Sequence, residues 1–280
     1  SEGEEIVAEV APAFVGQFGP NINVRNFKAA LEELGFSETY EVALGADIGA
    51  IAEAHHYVNK VTTGELPFLL TSCCPSWAML AKKFFPDLID QISQELTPMV
   101  ATARTIKQEH PNAKVVFIGP CAAKKLEAMR RTVRSEVDFV LTFEEMSGIF
   151  AAKDLDLEAM HEDVDGVNDV SADGRNFAVS GGVAQAVVDV IKKEYPDKEI
   201  KVANAEGLEE CRKLMMMASK GKYNGYLLEG MACPGGCVAG AGTMQPIKKS
   251  QGAVKIYATK ANHKVATETE YVKELDKLVD

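Results

Sequence analysis

Thr71-Ser72-Cys73-Cys74-Pro75-Ser76-Trp77 lies where a short strand is predicted to pass into a helix. The apolar run Phe68-Leu69-Leu70 precedes it, and Pro75 suits the first turn of a helix. The predicted helix continues from Trp77 through Phe85. Open α/β sheets place ligand sites at such strand-to-helix turns. Two adjacent cysteines at this position therefore predict a site with reactive or metal-binding thiols.

The composition of the 280-residue chain is that of a globular protein, with 46% hydrophobic and 25% charged residues. A net charge of -11 argues against a general nucleic-acid binder. No apolar run approaches the roughly 18 residues of a membrane helix, and no signal peptide precedes Ile6. We therefore predict no nucleic-acid partner and no membrane partner. Because the chain starts at Ser1, we expect a fragment of a longer protein.

The six cysteines are Cys73, Cys74, Cys121, Cys211, Cys233 and Cys237. Their even number permits a disulfide framework, but the chain is large, has no secretion signal, and has most of its cysteines in Gly- and Pro-flanked turns. Adjacent cysteines also form a disulfide only with strain. We therefore expect a reduced, cytoplasmic protein with a thiolate metal site. Cys211 shares a helical stripe with Leu208 and Met215, and we expect it in the core.

Strands and helices alternate almost throughout the chain, which predicts an α/β fold with mainly parallel sheets flanked by helices. We expect two βα lobes, over residues 1–130 and 131–250, with the active site in the cleft between them. Residues 251–280 are predicted to pack on the lobes as a C-terminal segment. The turns with Cys73, Cys121 and Cys233 follow three predicted strands. Their cysteines would converge if the lobes face each other.

Five local predictions complete the expected order of elements. Residues 40–45 read as a strand, and Asp47 as the N-cap of a helix through about Val61. Residues 155–175 read as an acidic loop, and residues 176–180 as a strand. The C-terminal segment is polar, with a short helix predicted near residues 267–278.

Four cysteines in convergent turns can bind zinc or an iron–sulfur cluster. Zinc sites usually take paired C-x₂₋₄-C knuckles, and only Cys233 and Cys237 have comparable spacing here. Proline or glycine beside each cysteine turn would let the backbone approach a cluster closely. The spacing favours an iron–sulfur site modestly, and zinc remains an alternative.

Three motifs resemble the active-site signatures of [FeFe]-hydrogenases. They are Thr71-Ser-Cys-Cys-Pro-Ser-Trp77, Pro120-Cys-Ala-Ala-Lys-Lys-Leu-Glu127 and Glu229-Gly-Met-Ala-Cys-Pro-Gly-Gly-Cys237. Their order and rough spacing also match the family. Further similarity lies at Ala11-Pro12-Ala13, Ser93, Thr97-Pro98 and Phe177-Ala-Val-Ser-Gly-Gly182. The resemblance extends from residue 6 to about residue 250.

The resemblance implies a six-iron cofactor, the H-cluster. Its [4Fe–4S] part would be held by four cysteines, Cys74, Cys121, Cys233 and Cys237. Cys237 would also bridge to a diiron subcluster that carries CO, cyanide and a bridging amine dithiolate. Lys124 would pair with a cyanide ligand, as suits a buried ammonium. Ala11, Pro12 and Pro98 would contribute backbone near the other cyanide, and Met231 would pack against the diiron part.

The resemblance also implies a route for protons. Cys73 would be a free thiol that passes protons to the bridging amine while H₂ is cleaved heterolytically. Glu53 and Ser93 match the family's relay carboxylate and relay hydroxyl. His56 stands where the family usually has a second glutamate, and with Lys60 it falls on the same predicted helix face as Glu53. A solvated polar helix face is the alternative.

Two further departures from the family pattern concern the surroundings of the diiron part. The family commonly has methionine where this chain has Gly119, and glutamine where it has Met99. We expect reversible H₂ oxidation, and these differences make H₂ or redox sensing with the same cofactor the alternative. An iron–sulfur scaffold without the diiron part is a second alternative, and the presence of Cys73, Lys124 and Cys237 argues against it. Implied partners are H₂ and protons, a ferredoxin-like electron partner or fused accessory or signalling domains, and maturation proteins. The basic segment with Lys124, Lys125, Arg130, Arg131 and Arg134 is a candidate docking site for an acidic ferredoxin, and a solvated helix face is the alternative.

Overall fold

The computed structural model describes residues 3–131, 133–160 and 169–277. The seven strands within these ranges are Ile6–Val10 (β1), Glu38–Glu41 (β2), Leu69–Leu70 (β3), Lys114–Gly119 (β4), Phe139–Thr142 (β5), Lys201–Glu206 (β6) and Tyr226–Met231 (β7). The ten α-helices there are Val24–Glu33 (α1), Ala43–His56 (α2), Pro75–Phe84 (α3), Pro98–Glu109 (α4), Ala123–Ala128 (α5), Phe143–Ala152 (α6), Ala172–Asn176 (α7), Gly182–Glu194 (α8), Leu208–Ala218 (α9) and Ile247–Ala258 (α10).

The strands form two parallel sheets flanked by helices, which confirms the predicted α/β class. One sheet has the order β2-β1-β4-β5, and the other has the order β3-β7-β6. The strands β1, β4 and β7 are short apolar runs with most residues buried. Such runs are expected where helices cover both faces of a parallel sheet.

The two sheets do not follow a division near residue 130. β3 pairs with β7, because Leu69 aligns with Leu227, so the strand before the cysteine pair belongs to the second sheet. β5 pairs with β4 and belongs to the first sheet, although it follows residue 130. Each part of the chain therefore gives one strand to the other sheet. This exchange brings the turn after β3 next to the turn after β7.

The predicted strand over residues 40–45 is wrong in its second half. β2 ends at Glu41 and α2 begins at Ala43, so Asp47 lies inside the helix and does not cap it. Residues 43–54 of α2 are all buried, and a run that is apolar on every side does not reveal a helical period. Asp47 accepts hydrogen bonds from the backbone N–H and the hydroxyl of Ser171, which fastens α2 to the start of α7.

Two further local predictions need correction. The predicted strand over residues 176–180 is wrong, because α7 ends at Asn176 and residues 177–180 form a turn in which the Val179 N–H donates to the Asn176 carbonyl at 2.9 Å. The short helix α7 also begins inside the predicted loop of residues 155–175, whose residues 161–168 are outside the described part of the chain. The sequence analysis missed α10, because Gly252 and several lysines obscure the buried stripe Ser250, Val254, Tyr257 and Ala258. Residues 270–277 are helical as predicted, in 3₁₀ form.

Candidate active site

One largely apolar cavity lies where the turns after β3, β4 and β7 meet. Its volume is about 830 Å³, which includes the open mouth of the cavity. Ten residues that the sequence analysis singled out line it: Ala11, Pro12, Cys73, Cys74, Pro98, Cys121, Lys124, Met231, Cys233 and Cys237. Parallel sheets collect their carboxyl-terminal turns at one edge, which explains the convergence.

The first and third motifs interlock through a glycine. Trp77 is fully buried, and its indole N–H donates to the Thr71 carbonyl at 3.0 Å, which fixes the turn that carries Cys73 and Cys74. The Trp77 ring lies flat against Gly230 of β7, where an added Cβ would collide with the ring. Only glycine fits at this crossing. The tryptophan and the glycine therefore set the distance between the two cysteine turns.

Backbone contacts join the third motif to the rest of the cavity wall. Gly236 has φ near +93°, a conformation that favours glycine, and a Cβ there would lie 2.6 Å from the Ser180 nitrogen. The Gly242 N–H donates to the Pro120 carbonyl at 2.9 Å, which ties the segment after Cys237 to the second motif. Main-chain contacts thus hold the third motif against the second motif and the segment of Ser180.

The thiols around the cavity are strongly desolvated. Burial raises the pKa of Cys233 to about 11 and also raises the pKa of Cys237 and Cys121, with smaller contributions from neighbouring thiols. At Cys121, nearby Lys124 opposes the rise in pKa. All these thiols would be protonated at neutral pH in the absence of a cation. A cation that binds them therefore has to release protons.

Lys124 brings a buried positive charge to this apolar cavity. Burial lowers the pKa of the Lys124 ammonium, but Glu127 at 2.5 Å and the thiols outweigh it, so the pKa is raised overall. The ammonium also donates to the Cys73 carbonyl at 3.4 Å. Lys124 therefore stays protonated and links the helix after Cys121 to the cysteine pair.

Cys73 stands at the inner end of a buried polar path. Burial, with Glu53 as the next cause, raises the pKa of the Cys73 thiol well above its usual value. The Glu53 carboxylate accepts a hydrogen bond from the Ser72 N–H at 3.2 Å. Burial raises the pKa of Glu53 to about 8, although hydrogen bonds from the Ser72 N–H and the Ser93 hydroxyl oppose this. Both groups can therefore carry a proton at neutral pH.

The main chain of Glu95, a residue not predicted from the sequence, contacts both Ser93 and Ser72. The Glu95 N–H donates to the Ser93 hydroxyl at 3.3 Å, and the Ser72 hydroxyl donates to the Glu95 carbonyl at 3.1 Å. The Glu95 carboxylate lies 3.4 Å from Nδ1 of His56, and both side chains are partly exposed. The only sequence signal was the position of Glu95 two residues after Ser93. Lys60 lies apart from this path and pairs with Glu65 at 2.5 Å.

A family model described as "Iron only hydrogenase large subunit, C-terminal domain" matches residues 4–241. The chain belongs to this family. No helix within the described ranges has both the length and the apolar character needed to cross a membrane.

Several proteins are similar to this hydrogenase-family chain. NADP-reducing hydrogenase subunit HndD of Solidesulfovibrio fructosivorans is 28% identical, over 85% of this chain and 49% of that protein. Cytosolic Fe-S cluster assembly factor NAR1 of Kluyveromyces lactis is 26% identical, over 58% of this chain and 36% of that protein. An apo [FeFe]-hydrogenase structure from Chlamydomonas reinhardtii superposes with a TM-score of 0.83 at 21% identity, over 98% of this chain and 89% of that chain. The chain spans about half the length of the first relative.

Two further buried groups, Glu9 and Cys211, do not line the cavity. Glu9 of β1 is fully buried, and neither carboxylate oxygen has a hydrogen-bond partner among the described residues. Burial raises its pKa, and Lys124 opposes that rise. Its only sequence signal was a charged residue inside an apolar strand. Cys211 lies in the core as predicted, with its thiol near the Ala205 and Met231 carbonyls.

Proposed function

We propose that this chain is a [FeFe]-hydrogenase domain that interconverts H₂ with two protons and two electrons. The observation that carries the proposal is the meeting of five cysteines and Lys124 in one largely apolar cavity. An apolar lining favours an uncharged substrate such as H₂ and excludes bulk water from the reacting atoms. Ionisable groups enter this lining at few points, so each of them is a candidate for a defined chemical role.

Cys74, Cys121, Cys233 and Cys237 are the proposed ligands of a [4Fe–4S] cluster. Four thiols with no carboxylate or imidazole among them are a donor set that suits iron–sulfur chemistry. The zinc alternative requires several ligands around one ion. Within residues 3–131, 133–160 and 169–277, no three His, Cys, Asp or Glu side chains could hold one metal ion. A cubane instead gives each thiolate its own iron, which suits more widely spaced cysteines.

The remaining cavity residues would hold the diiron subcluster with its CO, cyanide and amine dithiolate ligands. When bound, that group supplies the metal centre at which H₂ is cleaved. Cys237 would bridge to it, and Lys124 would hold a cyanide by a charge-assisted hydrogen bond. The backbone at Pro12 and Pro98 would close the opposite side, with Met231 packed against it. Maturation proteins would deliver this group.

Cys73 is the proposed acid and base next to the cofactor. A neutral thiol can donate a proton inward and recover one from Glu53, whose raised pKa lets it hold a proton at neutral pH. The Ser93 hydroxyl can both accept and donate a hydrogen bond, so it can transfer the proton from Glu53 towards the surface. Glu95 and His56 form the proposed outer end of the route, where they meet solvent.

Electrons would enter near α3 and α5, the helices that follow Cys74 and Cys121. Leu126 of α5 is 65% exposed, and Met129, which follows the end of α5, is 79% exposed. The Arg130 guanidinium donates to the sulfur of Met79 in α3 at 3.9 Å. Exposed apolar side chains beside arginine suit an acidic partner, since charge complementarity accelerates docking. We propose a ferredoxin-like protein or a fused accessory domain as that partner, in the cytoplasm.

A sensory function of the same cofactor is the second candidate. Met99 is fully buried in the cavity wall where the family commonly has glutamine, so the wall loses a hydrogen-bonding amide. Loss of that amide would slow turnover without preventing H₂ binding. A scaffold without the diiron part is the third candidate, and the similarity to an Fe-S cluster assembly factor supports it.

Infrared spectroscopy of the chain after co-production with hydrogenase maturation proteins tests the proposal. We expect CO and cyanide stretching bands that change on exposure to H₂, together with dye-linked H₂ oxidation. Bands that respond to H₂ with almost no turnover would favour the sensor. A preparation that contains four irons per chain and lacks these bands would refute the hydrogenase proposal and favour the scaffold.

A further inference from the structure

Phe117 and Gly119 occupy neighbouring positions on one face of β4. They are two residues apart in a strand, so they project to the same side of the sheet. Phe117 is 3% exposed and lines the cavity, together with Ala11 from the end of β1. Gly119 is buried directly before the second motif. The aromatic ring, not the residue next to Pro120, therefore provides this part of the cavity wall.

The Phe117 ring fills the space above Gly119. A Cβ added at Gly119 would collide with Cε1 and Cζ of the ring, and would lie 3.2 Å from the Cβ of Ala11. The backbone of Gly119 is not left-handed, so its conformation accepts any L-residue. The ring would have to leave its place, whereas Ala11 would have to shift by only a few tenths of an ångström. A side chain at position 119 and the phenyl ring of Phe117 thus compete for the same volume.

We propose that Phe117 and Gly119 form an exchangeable pair, in which the ring supplies the part of the cavity wall that a long side chain such as methionine at position 119 would otherwise supply. This inference rests on the proposed function and names Phe117 as a residue that shapes the diiron half of the cavity. The ring is rigid, apolar and without sulfur, whereas a methionine would present a flexible thioether. A phenyl ring in place of a methionine side chain changes the groups that this wall presents to the cavity, while the cavity stays closed on that side.

A double-mutant cycle on the thermal unfolding of the iron-loaded chain tests the competition. Gly119→Met alone should lower Tm by about 3–10 °C, since the ring has to leave its place. Phe117→Ala alone should lower Tm by about 6–20 °C, because it leaves a cavity. The double variant Phe117→Ala/Gly119→Met should lose less than Phe117→Ala alone. Gly119→Ala, which ordinarily stabilises a strand, should lower Tm.

A spectroscopic readout separates shaping of the site from packing of the core. In the matured protein, Phe117→Ala should shift the infrared CO and cyanide bands, and the double variant should move them back towards the parent positions. Phe150→Ala is the matched control, because Phe150 is a buried phenylalanine that packs on Phe18 and Phe27 away from the cavity. It should lower Tm and leave the bands unchanged.

Strictly additive losses of Tm in the cycle would overturn the proposed pair, as would a rise of Tm in Gly119→Ala. Bands that stay in place in Phe117→Ala would overturn the role of the ring in the site. Absence of CO and cyanide bands from the parent would refute the proposed function instead. The thermal cycle then still decides the pair, because it requires no diiron group.

Discussion

The cavity has two sides that are built on different principles. The ligand side consists of the turns that carry Cys74, Cys121, Cys233 and Cys237, and main-chain contacts with glycine close approaches hold it in place. The proposed proton side consists of desolvated Cys73 and Glu53, buried Ser93 and partly exposed Glu95. Packing therefore fixes the position of the proposed cofactor ligands, whereas burial raises the pKa values of Cys73 and Glu53 along the proposed proton route.

The largest expected effect is the loss of H₂ oxidation in Cys73→Ala, which should impair the proton side and leave the ligand side intact. Cys73→Ala should lower the rate of dye-linked H₂ oxidation by about 10²–10⁴-fold, because the acid and base next to the cofactor is lost. Iron content and the visible absorption of the cubane should persist, since Cys73 is not a proposed ligand. Cys211→Ala, which removes a buried thiol outside the cavity, should keep the rate. A Cys73→Ala enzyme that turns over at the parent rate would contradict the assignment.

The ligand side should lose stability when a substitution disturbs its packing. Gly230→Ala should lower the free energy of unfolding by about 1–3 kcal/mol or more, because its Cβ collides with the Trp77 ring. Urea unfolding measures this loss, and iron content should fall with it. Gly148→Ala is the control, since a Cβ at that helical position meets open space and should add about 0.5–1 kcal/mol. Equal stability of the two variants would mean that the crossing is not fixed by glycine.

The proton side should make stability depend on pH. Burial raises the pKa of Glu53 from 4.5 to about 8, so between these values the folded state binds a proton that the unfolded state lacks. The free energy of unfolding should therefore decrease as pH rises through this window, by up to about 1.4 kcal/mol per pH unit. Glu53→Gln should flatten that part of the profile in urea unfolding.

Glu65→Gln is the control for this pH dependence, because Glu65 is an exposed carboxylate paired with Lys60. Its profile should follow that of the parent chain. A Glu53→Gln profile parallel to the parent profile would show that Glu53 does not carry a buried proton.

The smallest expected effect lies at the outer end of the route. Glu95→Gln should slow H₂ oxidation by less than about tenfold and change its pH profile, because water can partly replace an exposed carboxylate. Glu194→Gln is the matched control, since Glu194 pairs with His55 at 2.8 Å on the surface. If both variants behave alike, Glu95 is an ordinary partner of His56 and not part of the route.

The sequence predicted that the three cysteine turns converge, because each turn carries its signal within a few residues. Cysteine, proline and glycine lie within a few residues of one another in each motif, directly after a strand. The alternation of strands and helices then placed all three turns at one edge of the sheets. Cys211 was also predicted correctly, because its helical stripe is apolar over several turns.

The missed features depend on contacts between distant residues. Glu95 meets His56 across 39 positions of chain, and no local pattern reports that contact. The place of β3 in the second sheet depends on β7, far along the chain. The start of α2 was missed because a helix buried on all sides has no amphipathic period. The sequence shows Gly119 only as a missing side chain, because the place of the Phe117 ring in that space depends on the fold.

The pairing of Leu69 with Leu227 has a consequence for biosynthesis. During translation, β3 and the cysteine pair are made first, and β7, with which β3 pairs, is made only after the long segment between them. Long-range pairing of this kind is slow, because the intervening chain loses entropy before the contact forms. The cavity is therefore among the last parts to assemble, and the proposed metal cofactor would have all its cysteine ligands only after translation has passed the third motif.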